Sequence, residues 1–219
     1  MIKKSFRWSS AAFAIFLLLL FVSSVIYVPH IFYWKYFNPK ETALMREKGG
    51  AIIQTWVPLR RISPALRQAV IVAEDGTFYE HHGIDFFEMK EAIRTNWHKK
   101  RLARGGSTIT MQLAKNLFLS SEKSVWRKIR EVPLVFLIET VWSKNRILEL
   151  YLNVVEWGPN LYGAQAAAQY YFGKSASELD KEEAIVLAAL LPNPNRLSKP
   201  ASSNSLEKRM ESILRRMKP

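Results

Sequence analysis

Glu74 is the carboxylate most suited by its position to accept a proton. The residues before it, 63–73, predict a helix, because Ser63 is a good N-cap and Pro64 fits the first helical position, where its missing N–H is not needed. This helix delivers Glu74 to its C-terminal end, where the macrodipole disfavours an ionised carboxylate. Glu74 is therefore a candidate general base. A solvated acidic helix end that turns at Gly76 is the alternative interpretation.

A glycine-rich turn at residues 105–108, Gly-Gly-Ser-Thr, precedes a predicted helix over residues 109–118. Free N–H groups at such a helix start can receive an anion. The Gly-Lys-Ser/Thr ending of a nucleotide-binding P-loop is missing, and an ordinary linker with a capping hydroxyl is the alternative. The polar side chains that this stretch offers to a substrate are Ser107, Thr108, Gln112, Lys115 and Asn116.

A charged turn, Arg127-Lys128-Ile129-Arg130-Glu131, interrupts a helix predicted over residues 125–142. Arg127 and Glu131 are i,i+4 neighbours, a spacing typical of a solvated salt bridge worth a few tenths of a kcal/mol. Because the helix is otherwise apolar, its charged turn could instead face a cleft. The adjacent His81 and His82 point different ways and make a poor metal pair.

The elements that must hold these residues are almost all helices. Breakers and short β-prone runs dominate before residue 61, and residues 52–57 predict one short strand. After that point, capping residues followed by apolar periodicity predict successive helices. The caps are Ser63, Asp85, Thr108, Ser124, Ser143 and Asp180, and a basic amphipathic helix covers residues 206–217.

Composition narrows the class of protein. The 219 residues suffice for one folded domain and a short extra segment. The absence of cysteine excludes a disulfide framework, a thiolate metal site and a thiol nucleophile. A formal charge of +13 predicts attraction to phosphates, either of nucleic acid or of anionic lipid.

The N-terminal residues favour lipid. Residues 8–28 carry no charge and, at about 20 residues, are long enough to cross a bilayer. Lys3, Lys4 and Arg7 keep the N-terminus cytoplasmic by the positive-inside rule. A cleaved signal peptide is the alternative, but the apolar stretch is long and lacks an Ala-x-Ala site. The rest of the chain is then extracytoplasmic, where nucleic acid is not an expected partner.

These features predict four segments. Residues 1–30 form the cytoplasmic N-terminus and transmembrane anchor, 31–61 a membrane-proximal connection, 62–200 the catalytic domain and 201–219 a basic C-terminal helix.

Four short motifs follow one another along the chain. They are Glu74-Asp75-x-x-Phe78-x-x-His81-x-Gly83, Gly105-Gly106-Ser107-Thr108-Ile109-Thr110-x-Gln112-x-x-Lys115-Asn116, Arg127-Lys128-x-x-Glu131 and Lys144-x-x-Ile147-Leu148-Glu149-x-Tyr151-Leu152-Asn153. In type and order they resemble those of the bacterial peptidoglycan glycosyltransferases, found in class A penicillin-binding proteins and in monofunctional biosynthetic transglycosylases. Thr77 stands where that family usually has a basic residue, and Met111 replaces the first of two glutamines.

The resemblance implies a mainly α, lysozyme-like glycosyltransferase domain behind an N-terminal transmembrane helix. It implies polymerisation of lipid II, a disaccharide-pentapeptide on polyprenyl pyrophosphate, into β-1,4-linked glycan strands, with inversion and release of the polyprenyl pyrophosphate. Glu74 matches the general base. Glu131 matches the second catalytic glutamate, which would orient cations or hold Mg²⁺ or Mn²⁺ through its oxygens. No organic cofactor is expected.

Further substrate contacts follow from the same motifs. Ser107, Thr108, Gln112, Lys115, Asn116, Arg127 and Lys128 match them, and Lys123 would add a positive charge near the donor. The implied partners are lipid II, the growing strand, membrane lipids and other cell wall synthases or divisome proteins. The implied location is the inner membrane, with one span and a periplasmic catalytic domain.

Two other functions fit parts of the sequence. A lysozyme-like glycan-cleaving enzyme would also be helical and built on a glutamate, although the cations beside Glu131 argue against it. A membrane-tethered wall- or lipid-binding module would need no general base at all. The chain length leaves no room for a transpeptidase domain, so a monofunctional enzyme is expected.

Overall fold

The computed structural model describes residues 15, 25–99, 105–119, 124–197 and 203–217. Most of them are helical, which confirms the mainly α prediction. The helices are α1 (Val28–Trp34), α2 (Ala43–Lys48), α3 (Pro64–Glu74), α4 (Phe86–Lys99), α5 (Ile109–Phe118), α6 (Val125–Val141), α7 (Lys144–Val154), α8 (Ala164–Phe172), α9 (Lys181–Leu190), α10 (Pro194–Leu197) and α11 (Ser203–Arg216), with a 3-10 turn at Leu59–Arg61.

The helix starts follow local capping rules, and the predicted caps are confirmed. Ser63 Oγ accepts the N–H of Leu66 at 3.0 Å, and Asp85 Oδ1 accepts the N–H of Glu88 at 2.7 Å. The other caps that accept a backbone N–H in the same way are Thr108, Ser124, Ser143 and Asp180. Each satisfies an N–H that has no partner within its own helix.

A small sheet lies beside the helices. Its strands are β1 (Ile53–Gln54), β2 (Glu156–Gly158) and β3 (Leu161–Tyr162), in the order β1-β3-β2. β1 runs parallel to β3, and β2 pairs with β3 antiparallel through a tight turn in which Asn160 has a φ of 56°. The predicted strand at residues 52–57 is present in shorter form, whereas β2 and β3 were not predicted.

The core joins the elements that carry the candidate residues. α3 packs against α9, while α5 packs against both α6 and α7. The largest fully buried side chains are Trp157, Tyr151, Tyr162 and Phe78. Because α3 and α5 belong to one core, the end of α3 and the start of α5 are held in fixed relation.

The C-terminal helix α11 is part of this packing. It lies against α3 and α9, and Ile213 and Met217 are only 1% and 5% exposed. This packing fixes the position of α11 relative to the end of α3.

The membrane-proximal segment is bonded to the helical domain. The indole N–H of Trp142 donates to the carbonyl of Ile31 at 2.7 Å, and Arg146 Nη2 donates to the carbonyl of Trp34 at 2.7 Å. The Trp34 ring also stacks on Phe118 with 5.2 Å between centroids. α1 is thereby fixed against α5, α6 and α7.

The predicted transmembrane anchor, residues 8–28, lies almost entirely outside the described residues. Within the part of the chain that is described, every helix is too short or too polar to cross a bilayer.

Candidate active site

Glu74 opens onto a cavity of about 780 Å³. Its walls come from the end of α3 with the turn after it, the start of α4, the glycine-rich turn with the first part of α5, the turn after α9 and α11. The polar residues on these walls are Glu74, Asp75, Thr77, Asp85, Glu88, Ser107, Thr108, Gln112, Arg209, Ser212 and Arg216.

The Glu74 carboxylate is held at both oxygens. Gln112 Nε2 donates to Oε2 at 2.8 Å, and Arg209 Nη2 lies 3.6 Å from Oε1. Only 12% of the Glu74 side chain is exposed. Burial raises the pKa of Glu74, while the hydrogen bond from Gln112 and the charges of Arg209, Arg216 and Lys115 offset part of that rise. The direction agrees with the sequence expectation, but its main cause is burial.

Gln112 is itself held from behind. The Tyr151 hydroxyl donates to Gln112 Oε1 at 3.0 Å. Tyr151 is fully buried, and burial together with the charges of Glu74 and Asp75 raises the pKa of its hydroxyl well above 10.0. Tyr151 is thus a neutral hydrogen-bond donor throughout the physiological range.

Asp75 fastens the end of α3 to the start of α5. Its Oδ1 lies 2.8 Å from His81 Nε2, and its Oδ2 accepts the N–H of Ile109 at 2.9 Å. His81 Nδ1 accepts the N–H of Gly83 at 3.0 Å, so the imidazole proton is on Nε2 and points at Asp75. This network sets the separation between Glu74, on one helix, and Gln112, on the other.

Two N–H groups at the start of α5 are already bonded to side chains of the protein. Asp75 takes the N–H of Ile109, and the Thr108 hydroxyl accepts that of Met111 at 3.2 Å. Thr108 also donates to the carbonyl of Gly83 at 2.5 Å. The N–H groups of Ile109 and Met111 are therefore not available to receive an anion.

A second cluster of charge lies on α6. Glu131 is 1% exposed and pairs with Arg127 and with Lys128, whose Nζ is 3.0 Å from Oε2. The interpretation of Arg127 and Glu131 as a solvated surface pair is therefore wrong. Lys128 Nζ also donates to Ser107 Oγ at 3.0 Å, which joins this cluster to the cavity wall.

Lys115 is close enough to interact electrostatically both with Glu74 and with the charged cluster on α6. Burial, followed by the charges of Arg127, Lys128 and Lys48, lowers the pKa of its ammonium, and Glu131 offsets part of this effect. Its charge also acts on Glu74. Lys115 thus lies near three other cationic side chains, a grouping that suits an anionic pyrophosphate.

The described residues do not fit a metal centre at Glu131. Both of its oxygens are occupied by cationic side chains, and no three His, Asp or Glu side chains converge anywhere in the described ranges. A dication at Glu131 would meet two positive charges and lack the oxygen ligands that Mg²⁺ prefers.

The other residues that the sequence singled out do not all lie at the cavity. Asn116 is 3% exposed, does not line the cavity, and its Oδ1 has no hydrogen-bond partner among the described residues. Lys123 lies outside the described residues. Met111 is a core residue, whereas the Thr77 hydroxyl lies at the cavity and donates to Asp85 Oδ2 at 2.5 Å.

Tyr151, Arg209 and Arg216 belong to the site in the structure but were not predicted from the sequence. A signal for Arg209 was present, because it lies four residues before Ile213 and one residue before Met210 on an amphipathic helix. That spacing places Arg209 next to the buried stripe. It does not say what the stripe packs against.

A family model and individual proteins similar to this chain both point to the same family. A family model described as "Transglycosylase" matches residues 41–218. Proteins named biosynthetic peptidoglycan transglycosylase are similar over nearly the whole chain. They include those of Nitrosospira multiformis (44% identical, covering 96% of each chain), Methylobacillus flagellatus (40%, covering 100% of this chain and 98% of that one) and Aromatoleum aromaticum (47%, covering 84% and 85%).

Proposed function

Since the chain belongs to the biosynthetic peptidoglycan transglycosylases, we propose that it polymerises lipid II with Glu74 as the general base. It is a peptidoglycan glycosyltransferase that makes glycan strands for the cell wall. The observation that supports the site assignment is the cavity itself. A buried carboxylate of raised pKa faces it, and a cluster of cations adjoins it through the bond between Lys128 and Ser107.

In the proposed step, Glu74 takes the proton of the acceptor sugar's 4-hydroxyl as that oxygen attacks the anomeric carbon of the donor. The new carbon–oxygen bond forms on the face opposite the bond that breaks, which gives inversion. The electron pair of the broken bond leaves with the polyprenyl pyrophosphate. Gln112 and Arg209 hold the two oxygens of Glu74 for this transfer.

The leaving group decides what else the site must supply. A pyrophosphate is already stable as an anion, so it needs positive charge and no carboxylic acid to protonate it. Lys115, Arg127 and Lys128 supply that charge, and Glu131 holds the last two in place. A divalent ion, which the family resemblance implies, would in this proposal arrive on the pyrophosphate, because the protein side chains do not form its site.

The exposed surface near the N-terminus supports a position at the membrane. Phe32, Tyr33, Tyr36 and Phe37 are each more than half exposed, directly after the predicted anchor. Aromatic side chains of this kind favour the membrane interface. We therefore propose that a single N-terminal span and this aromatic segment hold the cavity near the head groups that carry the substrate, on the periplasmic side of the inner membrane.

The full chain, purified in detergent, should convert labelled lipid II into long glycan strands that gel electrophoresis resolves. A parallel reaction with chelator tests the divalent ion. Isolated cell walls provide the opposing assay, because a glycan-cleaving enzyme would clear them. Wall clearing without strand synthesis would contradict the proposal.

The rate of strand synthesis should decline as pH falls through a midpoint above 4.5, the ordinary value for a glutamate. The reason is that a base must be ionised, and burial raises the pKa of Glu74, so protonation begins at a higher pH than usual. Single-turnover rates across a pH series measure the midpoint. If the rate instead declined with a midpoint at or below pH 4.5, a different group would be accepting the proton.

A further inference from the structure

Two consecutive hydrogen bonds connect three side chains from the core to the cavity. The Tyr151 hydroxyl bonds Gln112 Oε1 at 3.0 Å, and Gln112 Nε2 bonds Glu74 Oε2 at 2.8 Å. Exposure increases along the line, because Tyr151 is fully buried while Glu74 opens to the cavity. The middle group is a primary amide, whose two ends differ in hydrogen-bonding role.

The Gln112 amide can take either of two orientations between its two neighbours. With Nε2 toward Glu74, the amide donates to an ionised carboxylate, and the Tyr151 hydroxyl donates to Oε1. With the amide reversed, Oε1 faces Glu74, and the close contact requires a proton on the carboxyl group. The orientation of Gln112 and the protonation of Glu74 are therefore coupled.

Tyr151 makes the two arrangements unequal. In the reversed one, the amide donates to the tyrosine oxygen, so the hydroxyl proton has to find another acceptor. Among the described residues, Gln112 is the hydrogen-bond partner of the Tyr151 hydroxyl, and no second partner is found there. A buried donor left without an acceptor is unfavourable, so the hydroxyl favours the arrangement that suits an ionised base.

We propose that Tyr151 is a positioning residue that acts through Gln112, holding the amide N–H toward Glu74 and so keeping the base ionised. This inference rests on the proposed function in that it takes Glu74 as the base. Tyr151 itself touches no substrate, since it is fully buried.

Other charges also face Glu74, and the test must hold them constant. Positive charge comes from α5 and α11, and negative charge from the turn after α3 and the start of α4. These groups are Lys115, Arg209, Arg216, Asp75, Asp85 and Glu88. A change that removes only the Tyr151 hydroxyl leaves all of them in place.

The test is Tyr151→Phe in the full chain, with the Glu74 carboxyl titrated by ¹³C NMR. The Glu74 signal is identified by its absence from Glu74→Gln. We expect the Glu74 pKa to rise by about one pH unit in Tyr151→Phe, a tenfold change in proton affinity, or about 1.36 kcal/mol. The acid limb of strand synthesis should move upward with it, so activity is lost at low pH and recovered at high pH.

Tyr162→Phe is the matched control. Tyr162 is also a fully buried tyrosine, but its hydroxyl has no hydrogen-bond partner among the described residues. Its removal should leave the titration of Glu74 and the pH profile unchanged. An equal shift in both variants would overturn the proposal, because it would show a general effect of changing a buried tyrosine.

Gln112→Met provides the second variant. Without the amide, Glu74 should titrate at higher pH, and adding Tyr151→Phe should give no further shift. Additive shifts, or no shift in either single variant, would overturn the proposal. The NMR titration needs no turnover, so it judges the role of Tyr151 separately from the role of Glu74 in catalysis, which the activity of Glu74→Gln tests.

Discussion

Glu74→Gln should reduce the rate of glycan strand synthesis by about 10²–10⁴-fold, the range that a positioned general base contributes. Glutamine keeps the shape of the side chain and can still meet Gln112 and Arg209. It cannot accept the proton of the acceptor hydroxyl at any working pH. The rate should therefore become insensitive to pH over the range in which the wild-type rate declines.

The same variant should fold at least as well as the wild type. Because the folded-state pKa of Glu74 is raised, the folded protein binds the proton more tightly than the unfolded chain does. The free energy of unfolding therefore falls as pH rises through the titration of Glu74, and glutamine removes this loss. Thermal melts at neutral pH measure the difference. The control for the melts is Glu80→Gln, at an exposed position, which should leave the stability unchanged. In the activity assay, a Glu74→Gln variant with near wild-type turnover would exclude Glu74 as the base.

Glu131→Gln should lower both stability and activity. Removing one member of a buried ion pair costs about 3–5 kcal/mol, and we expect about 3 kcal/mol here because Lys128 is 45% exposed and can turn to water. Arg127, Lys128 and Lys115 would then repel one another without a central carboxylate. Strand synthesis should fall about 10²-fold, a loss similar to that of one charge-stabilising group. Urea denaturation and single-turnover rates measure the two effects.

Glu139→Gln separates these effects. Glu139 is on the same helix, its side chain is 7% exposed, and it accepts bonds from Lys144 at 2.9 Å and Thr110 at 2.5 Å. Its loss should destabilise the protein, while the folded enzyme keeps its rate. If Glu131→Gln behaved in the same way, Glu131 would be structural and would have no part in orienting the cations.

Local rules predicted much of the fold. The cap hydroxyls and carboxylates act within four residues of their targets, so Ser63, Asp85 and Ser143 could be assigned without knowledge of the tertiary structure. The short strands β2 and β3 could not be predicted, because two or three residues carry too little periodicity. β3 also pairs with β1, about a hundred residues earlier in the chain, and no local rule indicates that pairing.

The site was predictable only in part, for a similar reason. The motifs singled out Glu74, Gln112, Lys115 and the charged residues of α6, and the structure places these groups near one another. They did not show that Glu131 is buried or that Asn116 lies away from the cavity, because periodicity gives the face of a helix and not its partner. The bond from Ile109 to Asp75 joins residues 34 positions apart, and no local rule predicts it.

The docking of α11 has a consequence for biogenesis. The wall that brings Arg209 to Glu74 comes from residues beyond 203, which emerge from the ribosome long after the rest of the site. A nascent chain arrested before that helix would have Glu74 facing water, with its carboxyl group more solvated and the apolar surface of α9 uncovered. The cavity is therefore complete only once residues 203–216 have been synthesised and have packed against α3 and α9.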